Sequence, residues 1–192
     1  MNLPNRLTTS RIILALALIF ILPLPGIFSK IAALIIFSAA SLTDYWDGRI
    51  ARRSGAITPF GIFLDPIADK ALTFSAFCGF IEIGVVPAWM VVLILVRDLS
   101  VTGLRLLLSN DLKKASSGKS GKHKTVIQFS AILLILAYLI LRQTSFWRTE
   151  WDDLSLKLIY WFMLYVVGFT LYSGARYLYI HRQYLKGNFP SS

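Results

Sequence analysis

Cysteine and histidine are almost missing from this chain of 192 residues, which carries one Cys and two His. Cys78 alone excludes an internal disulfide. His123 and His181 stand too far apart for zinc-ligand spacing and read as interfacial polar residues. Acids are scarce as well, ten Asp and Glu against twenty Lys and Arg, for a net charge of +10. The opening "MNLPNRLTTSR" is polar for too long before its apolar run to suit a cleaved leader, and no small-residue cleavage pattern follows promptly. No internal repeat is visible. What the chain has in excess is apolar sequence: 56% of residues, with mean hydropathy +0.63, against about 45–50% in ordinary soluble domains.

Long uncharged runs cover Ile12–Ser29, Thr125–Leu141 and Leu158–Ala175. Each approaches the roughly 20 residues that cross a bilayer as a helix. Shorter runs, Ile31–Thr43, Ala71–Ile81 and Ile83–Val96, read as spans with polar ends. The expectation is an all-α integral membrane protein, one domain over residues 1–192. Six transmembrane helices would lie near 10–26, 29–53, 60–84, 87–109, 122–143 and 154–182, after a short amino-terminal interfacial segment with Thr8 or Thr9 as a helix cap. Basic residues crowd "RIARR", "KKASSGKSGKHK" and "RYLYIHRQYLK" and thin out in the alternate connections. The positive-inside bias therefore puts both termini in the cytoplasm. Short basic loops tied to spans point to anionic lipid head groups rather than to nucleic acid.

Against that background "DYWDGRIARRSGAITPFGIFLDPIAD", Asp44 to Asp69, stands out for holding four aspartates between apolar spans. A helix turns by about 100° per residue, so Asp44, Asp47, Gly48 and Ala51 fall on one narrow face at the cytoplasmic end of the second span. Asp65 and Asp69 lie about 40° apart on the third span, with Gly61 one turn earlier on the same side. The turn between the two spans lets these faces meet. Four adjacent carboxylates need positive charge among them, and an all-carboxylate donor set suits hard cations such as Mg²⁺ or Mn²⁺. Two such ions can clamp a phosphoryl group. Gly48, Ala51 and Gly61 leave room for a flat ligand to approach backbone, and Arg52 offers a phosphate fork. Small residues at helical spacing can instead mean close helix packing, and loop-end acids can be solvated caps. Four carboxylates on two facing helix ends favour a functional site over both.

The stretch resembles the signature of the CDP-alcohol phosphotransferases, D-x2-D-G-x2-A-R-x8-G-x3-D-x3-D. All eight fixed positions match: Asp44, Asp47, Gly48, Ala51, Arg52, Gly61, Asp65 and Asp69. The resemblance implies a six-helix, membrane-embedded and usually dimeric enzyme that displaces CMP from a CDP-linked lipid or alcohol with divalent metal. It implies that the four aspartates hold two cations, Mg²⁺ or Mn²⁺, and that Asp69 is also the general base. Asp44, Gly48, Ala51, Arg52 and Gly61 would bind CDP-diacylglycerol.

"NLPNRLTTSR", "LDPIADK", "RDLSVTGLR" and "SGKHKTVIQ" resemble blocks of the bacterial members that use sn-glycerol 3-phosphate and make phosphatidylglycerophosphate. One departure is Asp98, where that branch has Glu after the arginine. A phosphorylated acceptor fits the placement of Arg105, Lys122, Lys124 and Arg176, basic residues from three spans near one cytoplasmic level. Lipid head-group attraction is the plainer reading of Lys122 and Lys124 taken singly. The expected partners are CDP-diacylglycerol, sn-glycerol 3-phosphate, membrane lipids and a second copy of the chain. The expected location is the bacterial inner (cytoplasmic) membrane, multi-pass, with the active site facing the cytoplasm. Relatives using a phosphatidyl or inositol-phosphate acceptor are the nearest rivals. A cation transporter would spread its acids over several depths, whereas here they gather at one level, with Glu82 the exception.

Overall fold

The computed structural model describes the backbone of residues 3–54, 59–107 and 119–187, and the side chains of residues 9–43, 68, 70–104, 124–180 and 182. Among these residues the chain forms six α-helices: α1 (Leu3–Ile21), α2 (Ile27–Ser54), α3 (Pro59–Glu82), α4 (Ala88–Leu107), α5 (Lys119–Leu141) and α6 (Glu150–Gly187). Each overlaps one of the expected spans. The ends shift for physical reasons. Pro4 sits in the first turn of α1, where its missing N–H costs nothing. The polar "NRLTTSR" is therefore part of α1, and Thr8 and Thr9 lie inside the helix rather than capping it. Glu150, Asp152 and Asp153 occupy the first turn of α6 and favour an earlier start there through the helix dipole. At 38 residues, α6 is about 57 Å long.

α1 packs chiefly on α3 and also on α2. α6 rests on α4 and α5, and contacts of α2 and α3 with α5, and of α3 with α4, close the bundle. The core takes residues from every helix, among them Leu18, Phe37, Phe77, Met90, Ile132 and Met163, all 0–1% exposed. Phe37 of α2 meets Phe129 of α5 edge-on at 5.3 Å. α1 and α3 approach closely because Gly79 has no side chain: a Cβ there would lie 2.5 Å from Leu22 Cδ2.

The connections α1–α2 and α3–α4 are tight turns, each with a glycine at positive φ, Gly26 at 96° and Gly84 at 80°. Lys30 is buried and closes the first turn, donating from Nζ to the carbonyls of Leu22 at 2.5 Å and Leu24 at 2.9 Å. It thereby satisfies carbonyls left open at the end of α1. The α5–α6 connection is tied by Asp152, which accepts from Trp147 Nε1 at 2.8 Å, Arg142 Nε at 3.1 Å and the Tyr138 hydroxyl at 3.3 Å.

Among the described residues two helices carry windows long and apolar enough to cross a membrane, Lys124–Leu141 and Glu150–Ile180. Only 28% of the second window is buried, and Trp161, Tyr165 and Tyr172 on it are exposed. Such a broad apolar surface is unsuited to water and fits lipid.

Candidate active site

α2 is continuous to Ser54 and α3 begins at Pro59. The backbone is therefore helical at all eight signature positions, which is the condition for Asp44, Asp47, Gly48 and Ala51 to share a face of α2, and for Gly61, Asp65 and Asp69 to share a side of α3. The side chains of these residues and of Arg52 lie outside the described residues, as do those of Arg105 on α4 and Lys122 on α5. The ends of α2 and α3 that carry the signature adjoin, separated by residues 55–58. Asp69 is flanked along α3 by Ala68, fully buried, and by the largely covered Lys70. Taken together, the four signature carboxylates would make an all-oxygen donor set, a chemistry that fits Mg²⁺ or Mn²⁺.

Beside the signature lies a polar cluster that crosses four helices and centres on Asp98, 3% exposed. Asp98 Oδ1 accepts from Arg97 Nη1 at 2.8 Å and also from Lys124 Nζ of α5. Lys70 Nζ of α3 stands 3.7 Å from Oδ2. Arg97 then reaches α6, donating from Nη2 to Ser173 Oγ at 2.9 Å. Gly174 makes that crossing possible, because a Cβ there would fall 2.8 Å from Arg97 Cγ and Nε. Arg97 and Lys124 are themselves buried. Arg97 Nε has no hydrogen-bond partner among the described residues. Nor has the amide nitrogen of Gln128, a residue only 1% exposed that lies one turn beyond Lys124 on α5. A narrow cleft between α3 and α4, lined by Lys70, Thr73, Phe77, Ile94 and Asp98 among others, leads up to the carboxylate.

Of the four residues expected to bind an acceptor phosphate, the structure describes two side chains. Lys124 is buried on Asp98, a partnership that spacing along the sequence does not reveal. Arg176 is exposed on α6, one turn past Ser173, and no hydrogen bond or ion-pair partner joins it to Lys124 among the described residues. In the sequence Asp98 stands out only as a departure from Glu, and Ser173, Gly174 and Gln128 do not stand out at all. An Asp next to an Arg at the end of an apolar run was the available signal for the first of these.

Comparison with known families decides the class. The family model described as CDP-alcohol phosphatidyltransferase matches residues 1–172. The chain belongs to the CDP-alcohol phosphatidyltransferase family. Among relatives, it is 35% identical over 189 residues to the CDP-diacylglycerol–glycerol-3-phosphate 3-phosphatidyltransferase of Bacillus subtilis, covering 92% of this chain and 93% of that one. Proteins of the same name from Pseudomonas fluorescens and Escherichia coli K12 are 34% and 36% identical. Those alignments cover 93% and 70% of this chain, and 89% and 76% of the relatives. In a CDP-alcohol phosphatidyltransferase the Asp44–Asp69 stretch carries the family signature, and the Asp98 cluster adjoins it through Lys70, the residue after Asp69.

Proposed function

We propose that the protein transfers the phosphatidyl group of CDP-diacylglycerol to sn-glycerol 3-phosphate, releasing phosphatidylglycerophosphate and CMP. The observation that carries this reading is the eight-position signature set on two adjoining helix ends, in a chain whose relatives over nearly its whole length bear that activity in their names. Asp44, Asp47, Asp65 and Asp69 hold two divalent cations, Mg²⁺ or Mn²⁺, which when bound offset the charge of the pyrophosphate and of the departing CMP. Gly48, Ala51 and Gly61 leave space for the cytidine, and Arg52 grips phosphate. Asp69 takes the proton of the acceptor's primary hydroxyl. That oxygen bonds to the phosphatidyl phosphorus while the bond from this phosphorus to the CMP oxygen breaks, so no protein nucleophile is needed. Arg105, Lys122, Lys124 and Arg176 receive the acceptor's own phosphate.

All six helices cross the bilayer in this reading, with both termini and the site on the cytoplasmic side of a bacterial inner membrane, and the working form is a homodimer. The lipid substrate enters laterally, since its two chains have no reason to leave the bilayer. The test is release of labelled CMP from CDP-diacylglycerol with acceptors offered singly: sn-glycerol 3-phosphate, inositol phosphate and phosphatidylglycerol. Release with the first alone supports the reading, and release only with one of the others overturns it.

A further inference from the structure

We infer that Asp98 is a positioning residue for the acceptor phosphate: it fixes the Lys124 ammonium, through a chain of contacts anchored on Arg97 and Ser173, at the level where sn-glycerol 3-phosphate binds. The inference rests on the acceptor proposed above and deepens it. Lys124 Nζ reaches Asp98 Oδ1, and among the described residues no other acceptor holds it. Asp98 is in turn held by Arg97, and Arg97 by Ser173 Oγ at 2.9 Å over the bare backbone of Gly174. One carboxylate thus determines where cations from α4 and α5 stand relative to α6.

The charge balance points to an anionic ligand. Among the described residues, Arg97, Lys124 and the largely covered Lys70 gather around one buried carboxylate. The surplus positive charge is costly in an apolar bundle unless an anion joins it. Two buried donors, Arg97 Nε and Gln128 Nε2, also lack acceptors among the described residues. Gln128 follows Lys124 by four residues and so lies on the same side of α5. A phosphate dianion beside Lys124 supplies that anionic charge. A carboxylate beside a phosphate site repels the ligand, so Asp98 favours binding only by what it does to Lys124. Without it, the long lysine side chain would extend towards the nearby start of α5, where its ammonium reaches water.

The test is steady-state kinetics of the full-length enzyme in mixed micelles, read as CMP release while each substrate is varied. Asp98→Asn is expected to raise the KM for sn-glycerol 3-phosphate about tenfold or more, with the KM for CDP-diacylglycerol changed by less than about threefold; a tenfold change is about 1.4 kcal/mol. Asp98→Glu keeps the carboxylate and is expected to recover most of the loss. Ser173→Ala, which cuts only the outer tether, is expected to raise the same KM by a few fold and covers the case in which Asp98→Asn does not fold. Asp152→Asn, in the α5–α6 connection, serves as a control with unchanged constants. A fall in that KM for Asp98→Asn would mean that Asp98 competes with the phosphate, and would overturn the inference. So would equal changes in both KM values, or a loss of thermal stability with KM intact. If the wild-type enzyme ignores sn-glycerol 3-phosphate, the acceptor assignment fails and takes this inference with it. If the wild type uses it and the variants match the wild type, the inference alone fails.

Discussion

Gly174→Ala would add one methyl group where the structure has no room for it. The new Cβ would lie 2.8 Å from Arg97 Cγ and Nε, against at least 3.4 Å for ordinary contact. Arg97 must therefore retreat by about 0.6 Å, the difference between these distances, yet its guanidinium is tethered to Asp98 at 2.8 Å and Ser173 at 2.9 Å. Moving the shaft by that much stretches the Ser173 bond to about 3.5 Å, where little of a hydrogen bond remains. A hydrogen bond to a charged group contributes about 1.5–3 kcal/mol, and alanine returns about 1 kcal/mol of helix propensity. Gly168→Ala on the same helix gains that propensity and meets nothing within 4 Å. The two variants should therefore differ by the lost bond, about 1.5–3 kcal/mol, or about 3–12 °C in apparent Tm at roughly 2–4 °C per kcal/mol. Thermal melts of both proteins in the same detergent measure the difference. The contrast should shrink when Ser173→Ala is present in both, because the bond is already gone. Equal melting of the two single variants, or an unchanged contrast in the Ser173→Ala background, would refute the account of Arg97 as a strut between α4 and α6.

Asp69→Asn is expected to abolish CMP release while the protein remains folded in the membrane, and substantial turnover with normal metal binding would remove Asp69 as the base. Asp44→Asn is expected to weaken metal dependence, with activity partly regained at higher Mg²⁺ or Mn²⁺; a metal titration that matches the wild type would exclude it as a ligand. Gly48→Leu is expected to block CDP-diacylglycerol binding by bulk, so an unchanged KM in a folded variant would leave Gly48 a packing residue only. Lys30→Met should leave the Leu22 and Leu24 carbonyls without their donor and lower stability by about 1–3 kcal/mol, with both KM values intact; a kinetic effect would contradict the purely structural role given to Lys30.

The helices were legible because long apolar runs alternate with turns that carry Pro and Gly. Boundaries were less so: Thr8 and Thr9 have the chemistry of caps, but Pro4 lets α1 start earlier, and the acids after Thr149 extend α6. The signature was legible because its chemistry is set by residue type at fixed spacing on helices, which sequence records directly. The Asp98 cluster was not, since it joins residues as far apart as Lys70 and Ser173, and nothing in local spacing tells which helices will be neighbours. Lys124 shows the difference well. Its position near the start of α5 was readable, while its partner depended on how α3 and α6 bring α4 within reach of α5. Gly174 was invisible as well, because a glycine in a long apolar helix has no special meaning until Arg97 is seen crossing it.

The adjacency of Arg97 and Asp98 bears on how the chain is made. A protein is synthesised from its amino terminus, so α4 exists before Lys124 and Ser173 have been assembled, and its two charges must be tolerated without them. Because Arg97 and Asp98 are neighbours that bond to each other within α4, each charge has an opposite partner inside a single helix. Lys124 joins when α5 follows. The last helix, α6, then brings Ser173 and Gly174, so the cross-helix lock closes only at the end of synthesis. A chain truncated before α6 would keep its signature aspartates and leave Arg97 without its Ser173 partner.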